Sequence, residues 1–136
     1  MYKKTIKYTD YDGNEREEDF YFNLSKAEIM EMQLSMNGGL AAHIQKIIAS
    51  QDVPTLSALW KDLILKAYGE KSPDGRRFMK SKEISEAFEQ TEGYSEFFME
   101  LLIDANAATD FVNGIVPKDM ASQVEAIANK ARNVTA

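Results

Sequence analysis

The residues that could do chemistry in this chain are few, and their spacing gives them little to work with. His43 is the only histidine, and there are no cysteines. His43 falls among Leu40, Ile44, Ile47 and Ile48 at helical spacing, on or beside an apolar stripe, where an imidazole serves packing. A zinc site would need carboxylates alone to complete it, against the metal's preference for nitrogen and sulfur ligands. Tyr8-Thr9-Asp10-Tyr11-Asp12-Gly13, followed by Asp19, has the glycine of a calcium-binding loop. Tyr8, however, stands where the loop's first acid belongs, and Asp19 where its bidentate glutamate belongs. Gly69-Glu70-Lys71-Ser72 lacks the glycine directly before the lysine that a phosphate loop requires. Glu28 with Glu31 and Glu86 with Glu89 sit at helical spacing and read as solvated faces. A serine or threonine nucleophile would need a base, and only His43 or a lysine could serve. The expectation is no enzyme, no cofactor and no metal.

Charge is more informative. Residues 10–19 carry Asp10, Asp12, Glu15, Glu17, Glu18 and Asp19 against Arg16 alone. Residues 66–82 carry Lys66, Lys71, Arg76, Arg77, Lys80 and Lys82 against Glu70 and Asp74. Two readings stand side by side. The blocks are solvated loops, or they are unlike patches through which one copy's acidic hairpin meets another's basic loop. Unlike patches make a heterologous, head-to-tail homo-oligomer, weakened by salt. Asp10, Asp12, Glu15, Glu17, Arg76, Arg77, Phe78 and Lys80 are the candidate residues for partner binding or self-association. The net charge of −6 repels phosphates, and Phe78 is the one aromatic of residues 70–80, so neither nucleic acid nor an anionic membrane is an expected partner. Met30, Met32 and Met36 offer adaptable side chains for a partner groove, or simply core.

The elements that would position these residues follow from periodicity. Tyr2, Ile6 and Tyr8, then Phe20 and Phe22, recur at even positions around Asp12-Gly13, which predicts a β-hairpin over 2–9 and 15–23. Ser25 and Glu28 form a capping box for a helix running to about Ser35 and broken at Asn37-Gly38-Gly39. A second helix carries His43. A third opens at Asp52-Val53-Pro54 with the stripe Leu56, Leu59, Trp60, Leu63, Ile64, Ala67 and Tyr68, and Gly69 ends it. Residues 70–80 read as a polar loop with a turn at Ser72-Pro73-Asp74-Gly75. Ser81 starts a helix with Ile84, Ala87 and Phe88. An aromatic stripe of Tyr94, Phe97, Phe98, Leu101, Leu102 and Ala105 follows Thr91-Glu92-Gly93. A short helix with Ala108, Phe111 and Val112 stops at Asn113-Gly114. The fold class expected is mainly α with an N-terminal β-hairpin, a compact helical bundle of about five to six helices. Residues 1–117 would form the globular domain and 118–136 a weakly docked helical tail. No apolar run approaches a bilayer's span and no signal peptide is evident, so the expected location is the cytoplasm.

Taken whole, the chain resembles the tail assembly chaperones of long-tailed phages and prophages of Gram-positive bacteria. The stretches that carry the resemblance are Lys7 to Asn14 running into Phe20 to Glu28, then Leu65 to Phe78, then Phe111 to Pro117. It spans about residues 3–117 and includes no catalytic signature. The resemblance implies binding to the tape measure protein, which such chaperones keep soluble in the host cytoplasm while tail tube subunits polymerise around it. It implies the tail tube protein as a second partner, recruited by a longer, frameshifted form. A structural virion component of the tail or connector is the alternative, and an acidic inhibitor of a host enzyme the second alternative.

Overall fold

The computed structural model describes residues 1–35 and 53–116. Strands β1 (Tyr2–Thr9) and β2 (Glu15–Phe22) pair antiparallel in unbroken register from Tyr2 opposite Phe22 to Thr9 opposite Glu15. The turn is built by Asp10, whose carboxylate accepts the Asp12 and Asn14 N–H groups at 3.0 and 2.9 Å. Gly13 there has φ 84°, a conformation that costs glycine little. Alternation then sorts the hairpin. Lys3, Thr5, Lys7, Thr9, Glu15, Glu17 and Asp19 face solvent, while Ile6 and Phe22 are buried with Tyr2, Tyr8 and Phe20 packed beside them.

Helix α1 (Lys26–Ser35) begins with the expected capping box. The Ser25 N–H donates to Glu28 Oε1 at 2.9 Å, and the Glu28 N–H donates to Ser25 Oγ at 3.1 Å. Helix α2 (Val53–Ala67) has Pro54 in its first turn and buries Leu59, Trp60, Leu63, Ile64 and Ala67 on one side. The break at Asn37-Gly38-Gly39, the helix carrying His43, Met36, Pro117 and the tail 118–136 lie outside the described residues.

The polar loop expected over 70–80 is instead a second, small hairpin. The chain leaves α2 directly into β3 (Tyr68–Lys71), turns, and returns through β4 (Phe78–Met79). β3 pairs with β2 at Tyr21 opposite Gly69 and Phe22 opposite Tyr68, extending the sheet to the order β1-β2-β3-β4. Gly69 does not terminate the helix; it is the place where two strands approach closely. A Cβ on it would come 2.7 Å from the Phe78 ring and 2.9 Å from the Met79 carbonyl oxygen. The Ser72-Pro73-Asp74-Gly75 turn stands where expected, with Gly75 at φ 73° and the Ser72 N–H bonded to the Arg77 carbonyl at 2.8 Å.

Helix α3 (Lys82–Glu89) is capped by Ser81, and α4 (Glu92–Ile103) by Thr91, each side chain accepting a first-turn N–H. The stripe expected to run from Tyr94 through Ala105 ends earlier. Asp104 donates its N–H to the Glu100 carbonyl and caps the Asn106 and Ala107 N–H groups of α5 (Ala105–Ile115), leaving Ala105 exposed. Asn113-Gly114 does not stop α5. The helix continues to Ile115, and Gly114 is small because the Tyr2 ring lies against it.

The described residues thus hold five helices and a four-stranded antiparallel sheet. This is a helix-rich α+β fold, with helices against the sheet's inner face where a helical bundle was expected. Phe22 sits at the centre, its ring centroid 5.1 Å from Phe97, 5.6 Å from Phe111 and 5.7 Å from both Tyr68 and Phe88. Contacts of this kind between offset and edge-on rings add to the burial of each ring's area.

Candidate functional site

The hairpin's acids divide by role. Asp10 is occupied by its own turn and by Arg16, whose Nε donates to it at 2.6 Å, and these bonds hold its carboxyl below the usual range. Asp19 accepts the Thr5 hydroxyl at 2.6 Å and pairs with Lys3 at 3.5 Å. Tyr8 donates to Glu18, which pushes its phenol up to about 12. Asp12, Glu15 and Glu17 remain exposed, with no ion pair among the described residues. The outer face of the hairpin is therefore a lysine row on β1 set against an acid row on β2, with Lys7 opposite Glu17 and Thr9 opposite Glu15.

The basic block divides likewise. Lys80 turns inward. Its Nζ lies 2.8 Å from a Glu28 carboxylate oxygen and donates to the Asn23 carbonyl at 2.7 Å, with the Phe78 ring 5.7 Å away. Phe78 packs on Gly69, so it is no free anchor for a partner. Arg76 and Arg77 are exposed at the turn and, among the described residues, are held through their backbones, the Arg76 N–H on Asp74 and the Arg77 N–H on Ser72. Of the eight sequence candidates, Asp12, Glu15, Glu17, Arg76 and Arg77 are left to meet another surface. Strand order brings the two turns to the same end of the sheet, since β3 runs antiparallel to β2 and therefore alongside β1.

A shallow cleft of about 640 Å³ lies between α2 and the start of α3, floored by Ala58 and Leu65 and rimmed by Lys61, Lys66, Lys80 and Lys82. Sequence reasoning missed it, because its rim comes from two separate segments. Each rim lysine has its own acid: Glu89 at 3.1 Å, Asp62 at 3.3 Å, Glu28 at 2.8 Å and Glu86 at 3.8 Å respectively. The cleft is electrically balanced and offers no concentrated positive field for an anion. Glu86, Glu89 and Glu28 each answer to a lysine and not to a second carboxylate. Among the described residues no group of three or more histidine, cysteine, aspartate or glutamate side chains could hold a metal ion.

What the surface does offer is apolar side chains in pairs one helical turn apart. Met30 and Leu34 stand exposed on α1, and Met99 and Ile103 on α4. Met32, by contrast, is core. Among the described residues, no helix is long and apolar enough to cross a membrane.

A family model described as phage tail assembly chaperone matches residues 1–136, the whole chain. The chain belongs to that family. No curated protein and no solved structure matches it. Tail assembly is thus the process in which this chaperone works, and a phage tail protein is its kind of partner. The match also takes in residues 118–136, where the sequence alone carried no resemblance.

Proposed function

We propose that this chaperone binds the tape measure protein in the host-cell cytoplasm and keeps it soluble while tail tube subunits polymerise around it, catalysing no reaction. The observation that carries the reading is the family match over the entire chain. A long helical client exposes apolar stripes before assembly, and burying that surface is worth roughly 25 cal/mol per Å² before association costs. Met30 and Leu34, adjacent on one exposed side of α1, are suited to such a stripe. Many copies, each bound weakly along one client, would hold it by avidity and still yield to the tail tube protein. The host's Gram-positive character and a longer, tube-recruiting form belong to the same reading.

The test is co-expression with the tape measure protein of the same phage. The soluble fraction of the tape measure protein should rise with chaperone dose. If solubility is unchanged at chaperone excess, the client is another tail protein.

A further inference from the structure

Among the described residues, the first strand of the sheet has a bare side. There β1 pairs with β2 alone, and the Asp10 N–H to Asn14 carbonyl bond fixes which of its residues point outward. Doubly bonded pairs recur at every second residue in an antiparallel ladder. Counting back from Asp10 opposite Asn14, they are Tyr8 with Arg16, Ile6 with Glu18, Lys4 with Phe20 and Tyr2 with Phe22. The intervening Lys3, Thr5, Lys7 and Thr9 direct their N–H and C=O groups away from β2. The far side of β2 obeys the same parity, since Tyr21 pairs with Gly69 and the Asn23 N–H bonds the Ala67 carbonyl at 2.8 Å. No described residue bonds the outward groups of β1.

Edge strands are commonly blunted by proline, a bulge or shortness. β1 has eight residues in unbroken register and no proline. Its guard is charge: Lys3 and Lys7, the latter with no ion pair among the described residues. A second copy's β1 would lay another row of the same lysines beside these. We propose that the outer edge of β1 is a docking site for an extended segment of a partner protein bearing acidic residues at alternate positions. This site does not depend on the tape measure being the client.

β2 shows the chemistry that fits. It sets Glu17 opposite Lys7 and Asp19 opposite Thr5, with Asp19 taking the Thr5 hydroxyl and the Lys3 ammonium. A strand on the other side would meet the same row. Beneath β1 runs α4, with Gly93 against the Tyr8 ring and Glu100 paired to Lys4 at 2.8 Å. Tyr94 and Leu101 turn from there into the core. At about 100° per residue, Met99 and Ile103 fall on the opposite flank, next to Glu100. They are 50% and 77% exposed, an apolar pair on the flank of α4 turned away from the core. The occupant therefore alternates acidic residues outward with apolar residues inward, the mode of strand addition.

The probe is a synthetic peptide with the sequence of Glu15–Phe22, added to the full chain and followed by amide exchange. Protection should appear at Lys3, Thr5, Lys7 and Thr9. Glu17→Lys with Asp19→Lys in the peptide should weaken binding by about tenfold, since two favourable cross-strand pairs become like-charge pairs. Thr5→Pro in the protein deletes an outward donor without touching the β2 ladder, and should abolish binding with the circular dichroism spectrum unchanged; Lys7→Glu should weaken it without any backbone change. Protection absent from the odd residues, or equal binding of the charge-reversed peptide, overturns the proposal. So does concentration-dependent protection of the same amides without peptide, which would make the occupant a second copy.

Discussion

Lys80 Nζ lies 2.8 Å from the Glu28 carboxylate and so ties the end of the second hairpin to the first turn of α1, across 52 residues of sequence. Glu28 does two jobs at once, accepting from Lys80 and completing the capping box with Ser25. Lys80 also satisfies the Asn23 carbonyl at the end of β2. One ammonium therefore pins three segments.

Lys80→Met should cost about 1–2 kcal/mol by urea denaturation, the range for charge-assisted bonds discounted for partial solvent access. Glu28→Gln should cost less, because glutamine still fills the capping box. Burial of Glu28 opposes its ionisation, but the bonds from Lys80 and the Ser25 N–H outweigh it and hold the carboxyl below its usual range. A depressed carboxyl stabilises the fold above its unfolded-state value and loses that contribution as pH falls through the folded-state value. The stability gap between wild type and Glu28→Gln should therefore be full at pH about 7 and should shrink progressively as the pH falls below about 4.5, the carboxyl's ordinary value. A gap that does not change with pH would show that the ion pair contributes nothing.

Asp104 is the single residue between α4 and α5 and caps both. Its side chain accepts from Asn106 and Ala107 at 2.9 and 3.3 Å. Asp104→Ala should cost about 1 kcal/mol in thermal or urea unfolding, while Asp104→Ser, which keeps an acceptor, should be close to neutral. A neutral alanine would mean that the packing of Phe111 and Ile115, and not the cap, sets the angle of α5.

How much of this was legible depended on where each signal came from. Ser25 with Glu28, Ser81 and Thr91 are local caps, and the first hairpin is a local alternation around Asp12-Gly13, so their positions can be read residue by residue. β3 and β4 are short, and β3's pairing is supplied by Tyr21 and Phe22, some 46 residues upstream of Tyr68 in the register; no local propensity announces it. Tyr68 even continues the apolar spacing of α2. Gly69 and Gly114 looked like helix stops because glycine's commonest local use is termination. Their actual reason, a Phe78 ring across an unforeseen hairpin and a Tyr2 ring from the distant first strand, exists only in three dimensions. The charged candidates suffered similarly: Lys80 and Phe78 looked exposed in a polar stretch, yet Glu28, Asn23 and Gly69 claim them.

Gly114→Ala tests that explanation by its sign. Inside a helix the change ordinarily stabilises by about 1 kcal/mol. Here the added Cβ would come 2.5 Å from Tyr2 Cδ2 and 2.9 Å from Tyr2 Cβ, and an atom so near the β1 backbone cannot swing clear. The net effect should be destabilisation by about 1–2 kcal/mol in urea. In a Tyr2→Gly background, which removes that Cβ along with the ring, the same substitution should become neutral or stabilising. Stabilisation in the wild-type background would show that Tyr2 is not confined.

Leu34→Ser separates client binding from folding. Leu34 is 81% exposed at the last turn of α1, so its removal should leave the denaturation midpoint within about 0.5 kcal/mol of wild type. Met30, one turn earlier on the same side, is 51% exposed and should behave alike. If this side of α1 receives the client's apolar stripe, Met30→Ser with Leu34→Ser should lower the yield of soluble tape measure protein on co-expression. Contact residues of this size typically cost more than about 1 kcal/mol each only when fully desolvated, so the double variant is the sensitive one. Phe22→Leu is the control that lowers stability from the core, and it should reduce client yield only in proportion to the chaperone lost. A double variant that keeps both its own stability and the full client yield would move the client surface off α1.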